Sequence, residues 1–113
     1  MLVLNRFVVP PEEPDGFVER AHSALAALAE RPGYLSGRLT RALDDPAHWT
    51  LVTEWESVGA YRRALGGFDV KVRATPLLSE SLDEPSAFET LAEAAPGGQV
   101  VVSASDRAPE PWR

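Results

Sequence analysis

Residues 48–57 read HWTLVTEWES. The stretch alternates in the manner of a strand over His48 to Glu56 and then offers Ser57 as a helix cap. Trp49 and Trp55 are six residues apart, an even spacing, so both indoles leave the same face of that strand. Glu54 and Glu56 share the other face. The question for the rest of the chain is what lies over the tryptophan face.

Upstream, Asp44-Asp45-Pro46-Ala47 is a turn, because Asp and Pro favour reversals. So short a connection makes Tyr34 to Leu43 a strand antiparallel to His48–Glu56. Before it, Pro32-Gly33 stops a helix whose expected N-cap is Asp15 and whose apolar stripe is Phe17, Ala21, Ala24, Leu25 and Leu28. Ala26, Ala27 and Ala29 add helix propensity. The breaker PPEEP separates that helix from a first strand, Leu2 to Val9. Val3, Phe7 and Val9 lie on one face of this strand, with Asn5 between them. Leu2, Leu4 and Val8 lie on the other, so both faces call for cover.

Downstream, Ser57 caps a helix to about Leu65, with Tyr61, Ala64 and Leu65 inward. Gly66-Gly67 breaks it, Phe68 to Ala74 adds a helical turn or two, and Pro76 is expected to end them. A fourth strand is expected over Ser86 to Ala92, with an extended lead-in from Leu77 to Leu82. Pro96-Gly97-Gly98 is a hinge. QVVVSA (99–104) can add an edge strand to this chain or to a neighbour, and SDRAPEPWR reads as a loose tail anchored at most by Trp112.

The order β-α-β-β-α-β predicts an α+β, ferredoxin-like fold: an antiparallel four-stranded sheet with two helices on one face. The bare face needs cover, and a second copy supplies it most simply, so a homodimer through the open sheet face is expected. The expected division is one domain over 1–92 and an acidic extension over 93–113.

Composition narrows the partners. The net charge is −6 over 113 residues. Residues 1–78 carry ten acids and nine bases, a balance of −1, whereas 79–113 carry seven acids and two bases, a balance of −5. No basic stripe is left for phosphates, so nucleic acid is not an expected partner. No basic amphipathic helix or transmembrane-length run points to a membrane. The chain has no cysteine, and its N-terminus lacks the basic and apolar regions of a signal peptide, so a cytoplasmic protein is expected.

RPGYLSGRL (31–39) followed by TLVTEWESVGAYRRAL (50–65) resembles the antibiotic biosynthesis monooxygenase family of dimeric α+β barrels. The run Trp55, Ser57, Ala60 and Tyr61 carries most of that resemblance, which extends over roughly residues 1–92. In the family's polyketide oxygenases, Trp55, Tyr61 and Asn5 match site residues. The implied reaction is cofactor-free insertion of O2 into a phenolic, anthrone-type ring. A phenolate can itself reduce O2 if the protein stabilises the anion and excludes water. Some members carry an Asn four positions before the Trp, where this chain has Leu51. The heme-degrading branch also has the Asn and the Trp, but its iron ligand is a His near the position of Arg73. A guanidinium stays protonated and cannot take that role, so heme degradation is disfavoured and no cofactor is expected.

The resemblance thus implies Asn5, Trp55, Tyr61 and Arg73 as catalytic candidates. His22, Trp49 and Phe68 are candidate contacts to a small aromatic or apolar substrate. Each has a structural reading beside it. Trp55 can be a core anchor and Trp49 a strand-end or interface residue. Arg73 can pair with Asp69 at i,i+4. His22 lies at the border of the helix-one stripe, and His48 follows the turn. Neither histidine has the spaced carboxylates of a metal site, and none is expected. Glu54 and Glu56 are expected on the dimer side, within reach of Arg38 or Arg41. A non-catalytic ligand-binding module of the same fold is the alternative. A third reading is a cofactor binder using His22 or His48.

Overall fold

A computed structural model describes residues 1–104. The expected anchor of the tail at Trp112 lies outside them. The elements run β1 (Leu2–Val8), α1 (Pro14–Ala29), β2 (Tyr34–Arg41), β3 (His48–Trp55), α2 (Val58–Leu65), α3 (Phe68–Arg73), α4 (Thr75–Leu78), β4 (Ala87–Phe88), β5 (Ala92–Glu93) and β6 (Val101–Val102). The main sheet has the order β2-β3-β1-β4, all pairs antiparallel, which is the ferredoxin-like arrangement. Among the described residues no helix is long and apolar enough to cross a membrane.

β3 and β1 are the two inner strands of the main sheet, and both alternate cleanly. Trp49, Leu51, Thr53 and Trp55 are buried under the helices, while His48, Thr50, Val52 and Glu54 face out. β1 pairs along its whole length with β3 and buries Val3, Asn5 and Phe7 on the same side. α1 supplies the cover through Phe17, Ala21, Ala24, Ala27 and Leu28. The alanines let this helix lie close to the sheet, and larger side chains fill the ends. Ala27 is therefore core as well as a helix former.

Local details differ from the sequence reading. α1 begins at Pro14 with Glu13 at the N-cap position, so Asp15 lies in the first turn instead of capping it. Proline is well suited to the first helical position because its missing N–H has no partner there. The same reason corrects Pro76, which opens α4 instead of ending the preceding helix. Ser57 caps as expected, its Oγ accepting from the Ala60 N–H at 3.0 Å.

The fourth strand is shorter than its sequence suggests. Only Ala87–Phe88 pairs with β1, against Leu2 and Val3. Ala92–Glu93 instead forms a separate two-stranded ladder with Val101–Val102, so the edge strand expected over 99–104 joins β5 and not the main sheet. No core lies under that ladder: Leu91, Val101 and Val102 are exposed.

β2 holds a feature that alternation cannot show. Tyr34 pairs with Trp55 and Ser36 with Glu54, so Leu35 is an extra residue in the ladder. Such a bulge shifts the side-chain parity of the strand. Tyr34 thereby faces the helices together with Gly37 and Leu39, and Ser36, Arg38 and Thr40 face out. On that outer face Glu54 accepts from Ser36 Oγ at 3.3 Å, the partner it takes in place of an arginine. Thr40 bonds Thr50 across the strands.

Candidate functional site

Trp55 stands at the end of β3 with 0% exposure. Tyr34 meets its ring edge-on at 5.4 Å between centroids, and Tyr61 lies tilted against it at 5.5 Å. Its indole N–H donates to Thr53 Oγ at 2.8 Å. The indole is thus fully engaged within the core. It acts as a backing wall that fixes Tyr61 and presents no free donor of its own.

Tyr61 follows from the capped start of α2. The Ser57 cap and the burial of Ala60 and Ala64 fix the helix's rotation. One position after Ala60, Tyr61 is half-buried between the core and a cleft. That cleft, about 550 Å³, is lined by Tyr61, Leu65, Lys71, Thr75, Leu78 and Ser79. It runs between α2 and the α3–α4 pair and is mainly apolar, with a few polar groups at its edge. Such a volume and lining suit a small flat ligand. Burial pushes the Tyr61 hydroxyl's pKa up from the ordinary tyrosine value. At neutral pH it therefore stays protonated and is a hydrogen-bond donor, not a base.

Asn5 occupies a different part of the helix-covered face. It pairs with Leu51, between the Val3–Thr53 and Phe7–Trp49 pairs. That places it four residues along the sheet from Trp55, about 13 Å by ordinary strand rise. The side chain is 8% exposed and makes no hydrogen bond to another described residue. Its amide is not fully desolvated: among the described residues the buried side-chain polar atom without a partner is Arg31 Nε.

The other candidates are spread out. Arg73 Nε donates to Ser23 Oγ on α1 at 3.0 Å, which ties α3 to α1, and Arg73 is not among the residues lining the cleft. This is the partner it takes in place of Asp69. His22 is exposed, beside Ser23 on the same helix. Phe68 opens α3 at 73% exposure. Trp49 is buried against Phe17, edge-on at 5.5 Å, with the Arg41 guanidinium 5.3 Å from its ring centroid. Its edge lines a smaller groove of about 270 Å³ with Arg6, Arg41 and His48. His48 pairs with Asp45 at 3.2 Å. Among the described residues no three His, Cys, Asp or Glu side chains cluster as metal ligands would.

The structure therefore brings Trp55 and Tyr61 together, holds Asn5 further along the sheet, and leaves Arg73, His22 and Phe68 outside the cleft. Sequence reading missed Lys71, Thr75 and Ser79. The available signal was spacing: Lys71 and Thr75 are four apart and so share a side of a helix.

Comparisons with known proteins bear on the family and the fold. The chain matches the family model for antibiotic biosynthesis monooxygenases over residues 1–71. No curated protein sequence matches it. Among solved structures, a mutant form of SnoaB, a cofactor-independent oxygenase from Streptomyces nogalater, is similar at 21% identity and a TM-score of 0.63, covering 95% of this chain and 93% of that one. A conserved protein from Methanosarcina mazei Go1 is similar at 24% identity and a TM-score of 0.62, covering 76% and 84%. Rv0793 from Mycobacterium tuberculosis is similar at 18% identity and a TM-score of 0.58, covering 95% and 97%. At such identities the structures speak to the fold, and the family model speaks to descent. The chain belongs to the antibiotic biosynthesis monooxygenase family.

Proposed function

We propose that this protein oxygenates a small phenolic aromatic molecule with O2, without a cofactor, and binds it in the cleft fronted by Tyr61. The observation that carries this reading is the position of Tyr61. Its ring is fixed on buried Trp55, and the residue lines an apolar cleft of about 550 Å³. A protonated phenol side chain there can donate to the oxygen of a bound phenolate. The similarity to SnoaB, which is described as a cofactor-independent oxygenase, supports the reaction class. In balance, a ring CH2 and O2 give a ring C=O and H2O, the electrons passing from the ring anion to oxygen. Asn5 does not line this cleft, and its role as a catalytic candidate rests on the resemblance alone.

The test is oxygen uptake with a hydroxyanthrone. Tyr61→Phe is expected to lower kcat/KM by about 100-fold, the scale of one lost oxyanion donor. Asn5→Leu is expected to cut activity at least about tenfold if the family's Asn role holds here, with the variant's fold checked by its melting temperature. Full activity in both variants would sink the site assignment.

A second reading is favoured by one observation: the Trp55 N–H is already taken by Thr53 at 2.8 Å, and Leu51 adds no donor. With so few free donors, the chain is a ligand-binding module. Phenols would then raise the melting temperature without any oxygen uptake.

In either reading the working unit is a homodimer through the open sheet face. Leu2 is 37% exposed there and Val8 55%, among the outward Arg38, Thr40 and Glu54. Sedimentation at micromolar concentration is expected to give twice the mass of the chain, and a monomer at that concentration would count against it.

A further inference from the structure

We infer that Lys71 is the anion-binding residue of the cleft and that it selects substrates in their ionised form: planar aromatic phenols or enols bound as the oxyanion. The inference rests on the cleft being the substrate site and deepens it.

Lys71 belongs to α3 and lines the cleft together with the apolar Leu65 and Leu78 and with Tyr61. Among the described residues no carboxylate lines that cleft. Lys71 makes no ion pair with any other described residue, in a chain with 17 acids and 11 bases. Its positive charge is therefore available to whatever enters. Thr75 and Ser79 line the same cleft. Ser79 Oγ donates to the Pro76 carbonyl at 2.7 Å, so its hydrogen is spent and it cannot donate to an anion. The groups able to favour an anion are thus the Lys71 ammonium, the Tyr61 hydroxyl and the Thr75 hydroxyl.

A compact cation beside apolar side chains acts on a phenol in one direction. It stabilises the oxyanion and leaves the neutral phenol unaffected, so the bound phenol's pKa falls. Partial solvent exposure of the cleft screens this effect. A preference of about tenfold for phenolate over phenol corresponds to about one pH unit. For oxygenation this matters because the oxyanion is the form able to give an electron to O2. Arg73, the cation suggested by sequence position, is held by Ser23 on the α1 side.

The experiment is a spectroscopic titration of a monohydroxyanthraquinone bound to the full chain. The dye's visible band moves to the red when its hydroxyl ionises. Bound to the parent protein, it is expected to ionise about one pH unit lower than free in solution. Lys71→Met is expected to abolish the shift while the dye still binds, and Lys71→Arg to keep most of it. Raising the salt is expected to shrink the shift in the parent but not in Lys71→Met. A shift of equal size in Lys71→Met would overturn the role of Lys71 and leave the cleft standing. Failure of the dye to bind the parent, or equal binding by Leu65→Glu, would remove the cleft as the site and the inference with it.

Discussion

Trp55→Ala is expected to lower the stability of this protein by about 3–5 kcal/mol, as truncations of large buried aromatics do. Trp55 is 0% exposed and is the largest fully buried side chain of the core. By area counting, burying about 200 Å² of indole is worth about 5 kcal/mol. The contacts with Tyr34 and Tyr61 and the hydrogen bond to Thr53 all go at once. In a thermal melt the loss corresponds to a fall of about 10–20 °C for a domain of this size. A drop below about 1 kcal/mol would show that neighbours collapse into the space, against a close-packed core. Trp55→Phe keeps most of the bulk but takes the donor from Thr53, which is 3% exposed. Lost activity in either variant mixes stability with chemistry, so Tyr61→Phe is the cleaner probe of the site.

Gly33→Ala should be the most damaging single-methyl change in the chain, costing about 2–5 kcal/mol by strained backbone and overpacking together. Gly33 has φ +89°, and a Cβ there would stand 2.5 Å from the Cβ of Ala60. The two costs can be separated. Adding Ala60→Gly relieves the clash but not the backbone strain, so the double variant is expected to recover part of the loss. Ala60→Gly alone costs about 1 kcal/mol from helix propensity. Denaturant titration of all four proteins gives the coupling directly. Additive losses would show that the turn moves away from α2 freely. The position matters for function because the Gly33 carbonyl accepts from the Glu56 N–H at 2.8 Å, just before the Ser57 cap. A displaced turn shifts α2, and Tyr61 is one residue beyond Ala60.

Much of this architecture is legible along the chain. The period of two in 48–55 marked β3 and its buried face, and the stripe from Phe17 to Leu28 marked α1. Ser57 marked the start of α2 by its own hydrogen bond. Side-chain period and capping are local properties, set by backbone geometry over one or two turns or a few residues of strand. They carry the order of elements and hence the ferredoxin-like topology. The pairing of Trp55 with Tyr61 was legible through the family resemblance, which names both as site residues.

Other features depend on what one element meets on another. The extra residue at Leu35 exists only relative to β3, and it alone turns Tyr34 onto Trp55. β4 pairs for only two residues, although its sequence would extend further. That the buried Arg31 Nε has no hydrogen-bond partner among the described residues depends on everything packed around it. The same holds for the candidate site. Sequence position offered Arg73 as its cation, but the packing of α3 on α1 gave Arg73 to Ser23 and set Lys71 at the cleft. The sequence by itself determined which faces are apolar, where helices start and in what order elements follow, because those are matters of local period. Tertiary structure alone decided which polar groups are left without partners and which charged residue lines the cleft. Satisfaction of a polar group is a property of everything packed around it.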